Sequence, residues 1–356
     1  MAELVAPLQE AHADWAITIK AVRPEVLLAQ IGKPAGPDAA LVSLASLPPL
    51  IKDRRLLSLD AHLSERDRLD FLPAAWKRVT VDGHTWAVPF ELSCLALMYR
   101  KSALFAAETP VPVTTADLML RGIAFQKKQP KQAFMSLPTE PATLLPFLWA
   151  HGSKTLTPDP RWRATTQYLL TLRSRQVIGP FHQTQRSSVD VLASGRAAMA
   201  IGSPENLPQL NDLTAADDLG IAPVPSGSDA ARSPMVGRAW VLSPSAPRLD
   251  AALVAVTALA GRESAARWNA RLSRLPARTS AYDEPVVRQR PALALFRDQL
   301  VNAKLLKEAD LEALETLAPQ WRPYLTGQKK LEMPKAPMGG KPLPSASPKE
   351  PAAGLR

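Results

Sequence analysis

Trp86-Ala87-Val88-Pro89-Phe90-Glu91-Leu92-Ser93-Cys94-Leu95-Ala96-Leu97-Met98-Tyr99 is the longest strand-like run of the chain. Its apolar residues predict strand, and Pro89 predicts a break, because proline brings no N–H to a central ladder and suits an edge or a crossover. Upstream, residues 39–44 read as a short buried strand ending in the loop 43–46, with a helix over 47–52 after it. Residues 24–30 suit a helix with Pro24 in its first turn. The run Trp15-Ala16-Ile17-Thr18-Ile19 alternates like a strand, and residues 4–12 suit a short amphipathic helix. Downstream, helices are predicted over 114–121 with Thr114 or Thr115 as N-cap, over 144–150 with Gly152 at the C-cap, and over 161–175 and 188–194. Short strands follow at 197–201, 219–224 and 239–242, and Asp250 is expected to cap a helix over 251–259. A terminal helical pair, 291–305 and 310–325, is expected to be interrupted at Pro319 and Pro323. Strands that alternate with helices predict an α/β architecture.

A chain of 356 residues exceeds what one hydrophobic core usually serves, which predicts two lobes. Apolar residues make up 46% and charged residues 21%, the proportions of an ordinary globular protein. No stretch approaches the roughly 20 uninterrupted apolar residues of a membrane helix. The single cysteine, Cys94, excludes an internal disulfide and a thiolate metal cage. The opening Met1-Ala2-Glu3-Leu4-Val5-Ala6-Pro7 lacks the basic, apolar and small-residue regions of a secretion signal, so no export signal is read in the chain as given. The formal charge is +10, and four of that surplus come from residues 327–356, where Lys329, Lys330, Lys335, Lys341, Lys349 and Arg356 face Glu332 and Glu350. This Pro/Lys-rich tail has too little apolar surface to offset its ordering entropy and is predicted to be disordered. The remaining arginines are scattered singly and no nucleic-acid motif accompanies them. A generally basic surface is the reading, with no nucleic-acid partner.

Four separated stretches then carry a resemblance. The first is Gly36-Pro37-Asp38 with the strand and helix after it, closing on Leu56-Leu57-Ser58-Leu59-Asp60. The second runs from Phe71-Leu72-Pro73-Ala74-Ala75-Trp76 through Val81-Asp82-Gly83-His84-Thr85-Trp86-Ala87-Val88-Pro89-Phe90 to Leu97-Met98-Tyr99. The third joins Leu148-Trp149-Ala150-His151-Gly152 to Leu192-Ala193-Ser194-Gly195-Arg196-Ala197-Ala198-Met199-Ala200-Ile201. The fourth joins Leu219-Gly220-Ile221-Ala222-Pro223-Val224-Pro225 to Val236-Gly237-Arg238-Ala239-Trp240-Val241-Leu242-Ser243 and later to Leu275-Pro276-Ala277-Arg278. In this order, over residues 36–325, the set resembles the extracellular solute-binding proteins of ABC importers, the family that includes maltose- and other sugar-binding proteins. Arg100 stands where the family usually has Asn. The family also opens with a buried strand before its first helix, whereas this chain starts within that helix, which predicts an open edge in the first sheet.

The resemblance implies a two-lobed, periplasmic-binding-protein-like α/β fold, each lobe a mixed sheet flanked by helices, with a ligand cleft between the lobes. It implies one lobe from 1–92 plus 226–290 and another from 93–225 plus 291–326, with 327–356 as tail and crossings near residues 90–92, 223–226 and 280–290. It further implies the solute-binding component of an ABC transporter, a monomer that captures a small oxygenated solute, sugar or oligosaccharide, by interlobe closure. Its partners would be that solute and the permease subunits. It would be periplasmic or extracellular, meeting the membrane only through the permease or a lipid anchor not present in this stretch. A cytoplasmic place stays open because no export signal is read. The reading from another class is a non-transporting relative that acts as an interaction or sensor module.

Cleft residues are expected in strand-to-helix loops, since ligands of open α/β sheets sit at the carboxyl ends of strands. Carried over motif by motif, the candidates are Ser43 and Ser46, Glu91 and Ser93, Glu205 and Asn206, and Arg238 and Trp240. Hydroxyls, carboxylates and amides suit sugar hydroxyls, and an indole suits the apolar face of a pyranose. Each has a structural alternative. Ser43 and Ser46 could cap the next helix, Glu205 could be a solvated turn carboxylate, and Trp240 could be core. Arg238 could meet a ligand carboxylate or phosphate, or pair with an interlobe acid. For catalysis there is little material. His12, His62, His84, His151 and His182 have no metal-ligand spacing, no phosphate-binding glycine loop or nucleophile elbow occurs, and Cys94 reads as a buried filler. No catalytic residue, metal or cofactor is expected.

Overall fold

The computed structural model describes residues 2–153, 160–227 and 233–331. In chain order its strands are β1 (Ala39–Ser43), β2 (Thr80–Val81), β3 (His84–Thr85), β4 (Val88–Cys94), β5 (Ala96–Arg100), β6 (Ala133–Ser136), β7 (Ala197–Gly202), β8 (Leu219–Ala222), β9 (Ser233–Leu242), β10 (Leu275–Pro276) and β11 (Ala303–Leu305). Two mixed sheets result. In the first, the order is β1-β9-β4-β10, all antiparallel, and β11 pairs in parallel with the start of β9. In the second, the order is β6-β7-β5-β8, with β6 and β7 parallel and the other pairs antiparallel. Helices flank both sheets, as expected of the α/β class.

The cores follow from alternation along the strands. On β5, Met98 joins one buried cluster while its neighbour Leu97 joins the other, because successive strand residues point to opposite faces. The first cluster holds Val42, Leu59, Phe90, Leu92, Val241 and Leu242 and continues onto one face of the second sheet through Met98, Ala200 and Leu207. The second holds Phe125, Phe134, Phe147, Ile201 and Trp321. Each fully buried side chain of this kind contributes roughly 1.5–3 kcal/mol. Trp149 is buried in the second cluster, and Trp86 is half-buried against the first.

Most predicted elements form. The helix Thr115–Lys128 starts on a capping box between Thr114 and Asp117, and Pro141–Ala150 ends before Gly152, whose φ of +80° suits glycine. Other expectations need correction. The run 15–19 is not a strand: it pairs with none among the described residues, and the Ile17 N–H turns instead to the Gln9 side chain at 3.3 Å. The long run breaks at Leu95, between β4 and β5, while Pro89 stays inside β4 beside a register shift. The helix expected from Asp250 begins at Leu249, with Arg248 at the N-cap. The last helix, Glu308–Leu325, runs through both Pro319 and Pro323 without interruption. Among the described residues β1 pairs only with β9 and forms one edge of the first sheet. The expected tail lies outside the described residues from 332 onward.

Among the described residues, two connections pass between the sheets and a third passes between the two cores. At Leu95 the ladder is interrupted, and Ser233 replaces it: its hydroxyl accepts from the Leu95 N–H at 2.8 Å and donates to the Leu95 carbonyl at 2.5 Å. The second segment joins β8 to β9. The third is β11, since Leu293, Phe296 and Leu300 before it enter the first cluster and Leu306, Leu317 and Trp321 after it enter the second.

Candidate functional site

The register of the first sheet sets out a polar row. Ser43 lies opposite Arg238, and Arg238 lies opposite Glu91. Residues directly opposite in an antiparallel ladder share a face, so one cation and one acid from different strands meet. The strands can approach closely here because position 237 is glycine; a Cβ there would stand 2.7 Å from the Glu91 carbonyl oxygen and 2.8 Å from Leu44 Cδ1.

Glu91 is wholly buried. Burying a carboxylate is costly unless charge and hydrogen bonds replace its hydration. Arg238 Nε donates to Glu91 Oε1 at 2.5 Å, and Arg274 Nη1 donates to the same oxygen. Both guanidiniums stay about a third exposed, with side-chain values of 35% and 32%. Oε2 of Glu91 is buried with no partner among the described residues. Arg274 is delivered by the helix Arg262–Leu272, whose C-cap Ser273 adopts a left-handed conformation at φ 52° and so turns the chain directly into β10.

Glu205 reaches this group from the other sheet. It lies in the first turn of the 3-10 segment Pro204–Leu210, directly after β7. Its Oε2 accepts from Ser93 Oγ at 2.7 Å, and its Oε1 stands 3.6 Å from Arg274 Nε. Asn206 holds that turn in shape: Oδ1 accepts from the Ser203 N–H at 2.9 Å, and Nδ2 donates to Gln209 Oε1 at 2.9 Å. The result is a formally neutral set of two acids and two guanidiniums, fed by both sheets.

Of the eight residues nominated from sequence, the structure therefore brings together Glu91, Ser93, Glu205 and Arg238, with Asn206 supporting Glu205. Ser43 borders the row, but its Oγ accepts from the Ala45 N–H at 3.2 Å and caps the short turn Leu44–Ser46. Ser46 is buried and makes no capping bond. Trp240 is 9% exposed, belongs to the first core, and packs edge-on to Phe90 at 5.9 Å. Arg274 was missed from sequence. Its only signal is its place one residue before the Leu275-Pro276 run, and its acid partners are 183 and 69 positions away.

Cys94, next to Ser93, donates to the Phe296 carbonyl at 3.6 Å. Burial, reinforced by the Glu205 charge, pushes its thiol up to about 12, so it stays protonated and unreactive at neutral pH. Among the described residues no group of three or more His, Cys, Asp or Glu could hold a metal ion. An open surface depression lined by Tyr99, Leu104, Phe105, Thr109 and Val111 contains none of the charged set. The convergence of buried charge, not the size of a hollow, marks the candidate site.

The sequence profile of the bacterial extracellular solute-binding proteins matches residues 3–295. Among solved structures, the chain is similar to the sugar-binding protein MalE of Xanthomonas citri, with 21% identity and a TM-score of 0.77, covering 93% of this chain and 90% of that one. It is similar to the GacH receptor of Streptomyces glaucescens, known unliganded and with acarbose, at 22% identity and a TM-score of 0.73 over 93% and 90% of the two chains. A third likeness is to UgpB of Mycobacterium tuberculosis, known with glycerophosphocholine, at 19% identity and a TM-score of 0.71 over 93% and 90%. At such identities the likeness speaks for a shared two-lobed fold. No curated protein sequence matches.

Proposed function

The chain belongs to the bacterial extracellular solute-binding proteins, and from that premise we propose that it is the capture component of an ABC importer, closing two lobes around a small oxygenated solute. The observation that carries this reading is Glu205: a side chain rooted beside β7 of the second sheet meets Ser93 and Arg274 of the first at 2.7 and 3.6 Å. Polar groups from two separately built sheets converge on one place, which is the arrangement a closing cleft needs.

In this reading the lobes divide where the chain leaves one sheet or one core for the other: at Leu95, between β8 and β9, and at β11. Closure is favoured by a solute only to the extent that the solute makes better contacts in the closed state. Structural neighbours have been seen with acarbose and with glycerophosphocholine, so hydroxyl-rich solutes head the list of candidates. Ser93, Glu205 and the two guanidiniums are hydrogen-bonding groups suited to such molecules. The work is binding without chemistry, outside the cytoplasm, in partnership with a membrane permease. Among the described residues no helix is long and apolar enough to cross a membrane.

A thermal-shift panel of sugars, oligosaccharides, sugar acids, amino acids and polyamines tests the reading. A cognate solute at a hundredfold excess over its dissociation constant stabilises the folded state by about 2.7 kcal/mol, a shift of a few degrees. X-ray scattering with that solute is expected to show a more compact particle. A panel without a single stabilising solute, together with an unchanging scattering profile, overturns the proposal.

A further inference from the structure

We propose that the solute carries an anionic group, a carboxylate or a phosphate ester, which seats on Arg274 and Arg238 by displacing Glu205. The inference rests on the reading of this cleft as the solute site and narrows its chemistry.

Charge on the first sheet's side does not close by itself. Arg238 and Arg274 both donate to Oε1 of Glu91, so two cations share one acid. Like charges held that close repel unless a second negative charge sits beside them. Glu205 supplies it from across the cleft, and among the described residues Arg274 is the only cation it pairs with. When the lobes part, Glu205 leaves with the second lobe and the first retains a surplus positive charge. The site therefore asks for one anion, and the protein fills that place with a side chain of its own.

Glu205 fills it poorly. Its Oε1 is 3.6 Å from Arg274 Nε, beyond hydrogen-bond reach, whereas guanidinium favours two parallel bonds to one carboxylate or phosphate. The terminal nitrogens of Arg238 have no partner among the described residues, and its side chain is 35% exposed. An arriving anion can take those donors in the forked geometry that Glu205, tethered to its turn and bonded to Ser93, does not reach. A neutral solute that displaced Glu205 would leave two guanidiniums on a single acid in a drying cleft, which is unfavourable. Glu205 thus acts as a tethered competitor that admits anions and resists neutral replacements.

The test is calorimetric titration of inorganic phosphate at low salt into the full chain, its Glu205→Gln variant and the double variant Glu205→Gln/Arg274→Gln. Glu205→Gln is expected to bind phosphate one to one and about tenfold or more tighter than the unaltered protein, and the double variant, whose net charge equals that of the unaltered protein, is expected to lose the binding. Circular dichroism checks that each variant folds; should the double variant not fold, the comparison of Glu205→Gln with the unaltered protein decides alone. Phosphate affinity unchanged by Glu205→Gln, or equal in the folded double variant, overturns the inference. A paired melt with D-glucose and D-glucuronate separates this failure from that of the importer reading. If a neutral sugar stabilises the unaltered protein while phosphate ignores both substitutions, solute capture stands and the anion inference falls.

Discussion

Arg278 shows how much a single buried side chain can organise. It is 8% exposed, lies 4.4 Å over the Phe71 ring, and donates to Asp70 at 3.0 Å, to Asp67 at 3.2 Å and to the Ala260 carbonyl at 2.7 Å. Asp70 also accepts from Ser280. Both carboxyls lie below their ordinary value: a hydrogen bond from Ser64 is the largest cause at Asp67, while at Asp70 burial opposes the bonds from Ser280 and Arg278 that prevail. A depressed carboxyl stabilises the fold fully above its unfolded value of about 3.9 and loses that contribution as pH falls toward its lower folded value. The melting temperature is therefore expected to fall steeply below about pH 4. Arg278→Ala should cost about 3 kcal/mol in urea unfolding at neutral pH and flatten that acid limb; an unaltered limb would mean the arginine does not depress the pair. Arg278 was legible in sequence as part of a motif, but its acids, 208 and 211 positions away, carry no local pattern. Arg274 lies outside the quoted motifs, and its acids are likewise far away in sequence. Its partners are chosen by topology, and sequence spacing is silent on that.

At the scale of elements, legibility tracks how local the determining interactions are. Thr114 and Asp117 bond each other's backbone within four residues, and that helix start was readable. Removing the cap with Thr114→Ala is expected to lower unfolding free energy by about 1 kcal/mol, seen as a shift in urea midpoint at constant slope. The run 15–19 has the alternation of a strand and yet forms none, because a strand exists only against a neighbour and periodicity does not say whether one is there. Gly237 is the opposite case: nothing local demands a glycine, but the strand beside it does. A methyl group at 237 would meet the Glu91 carbonyl oxygen at 2.7 Å. Gly237→Ala is thus expected to cost about 1–3 kcal/mol through forced separation of β4 and β9, read by chemical denaturation, and a variant as stable as the parent would show that the strands have slack.

For the molecule as a whole, four ordered stretches sufficed to indicate two α/β lobes, while the residue at which the chain leaves the first sheet is set by long-range contacts. Proline chemistry drew attention to Pro89, whereas the chain leaves the first sheet at Leu95, a residue with no unusual propensity. What marks Leu95 is long-range: its N–H and carbonyl both turn to the hydroxyl of Ser233, a residue 138 positions later at the start of β9, where β11 also pairs. One side chain thereby ties two of the crossing segments at the edge of the third. In Ser233→Ala both Leu95 groups lose their partner in a buried place, at about 1–3 kcal/mol, and the cost falls on the joint instead of either core. The unliganded variant should accordingly have a larger radius of gyration by X-ray scattering, with the second-lobe helices as protected from hydrogen exchange as before. Water can partly replace the hydroxyl once the joint opens, so the open form is relieved and the closed form is not. A scattering profile identical to that of the parent, at reduced overall stability, would place Ser233 in the core and leave the joint to be governed elsewhere.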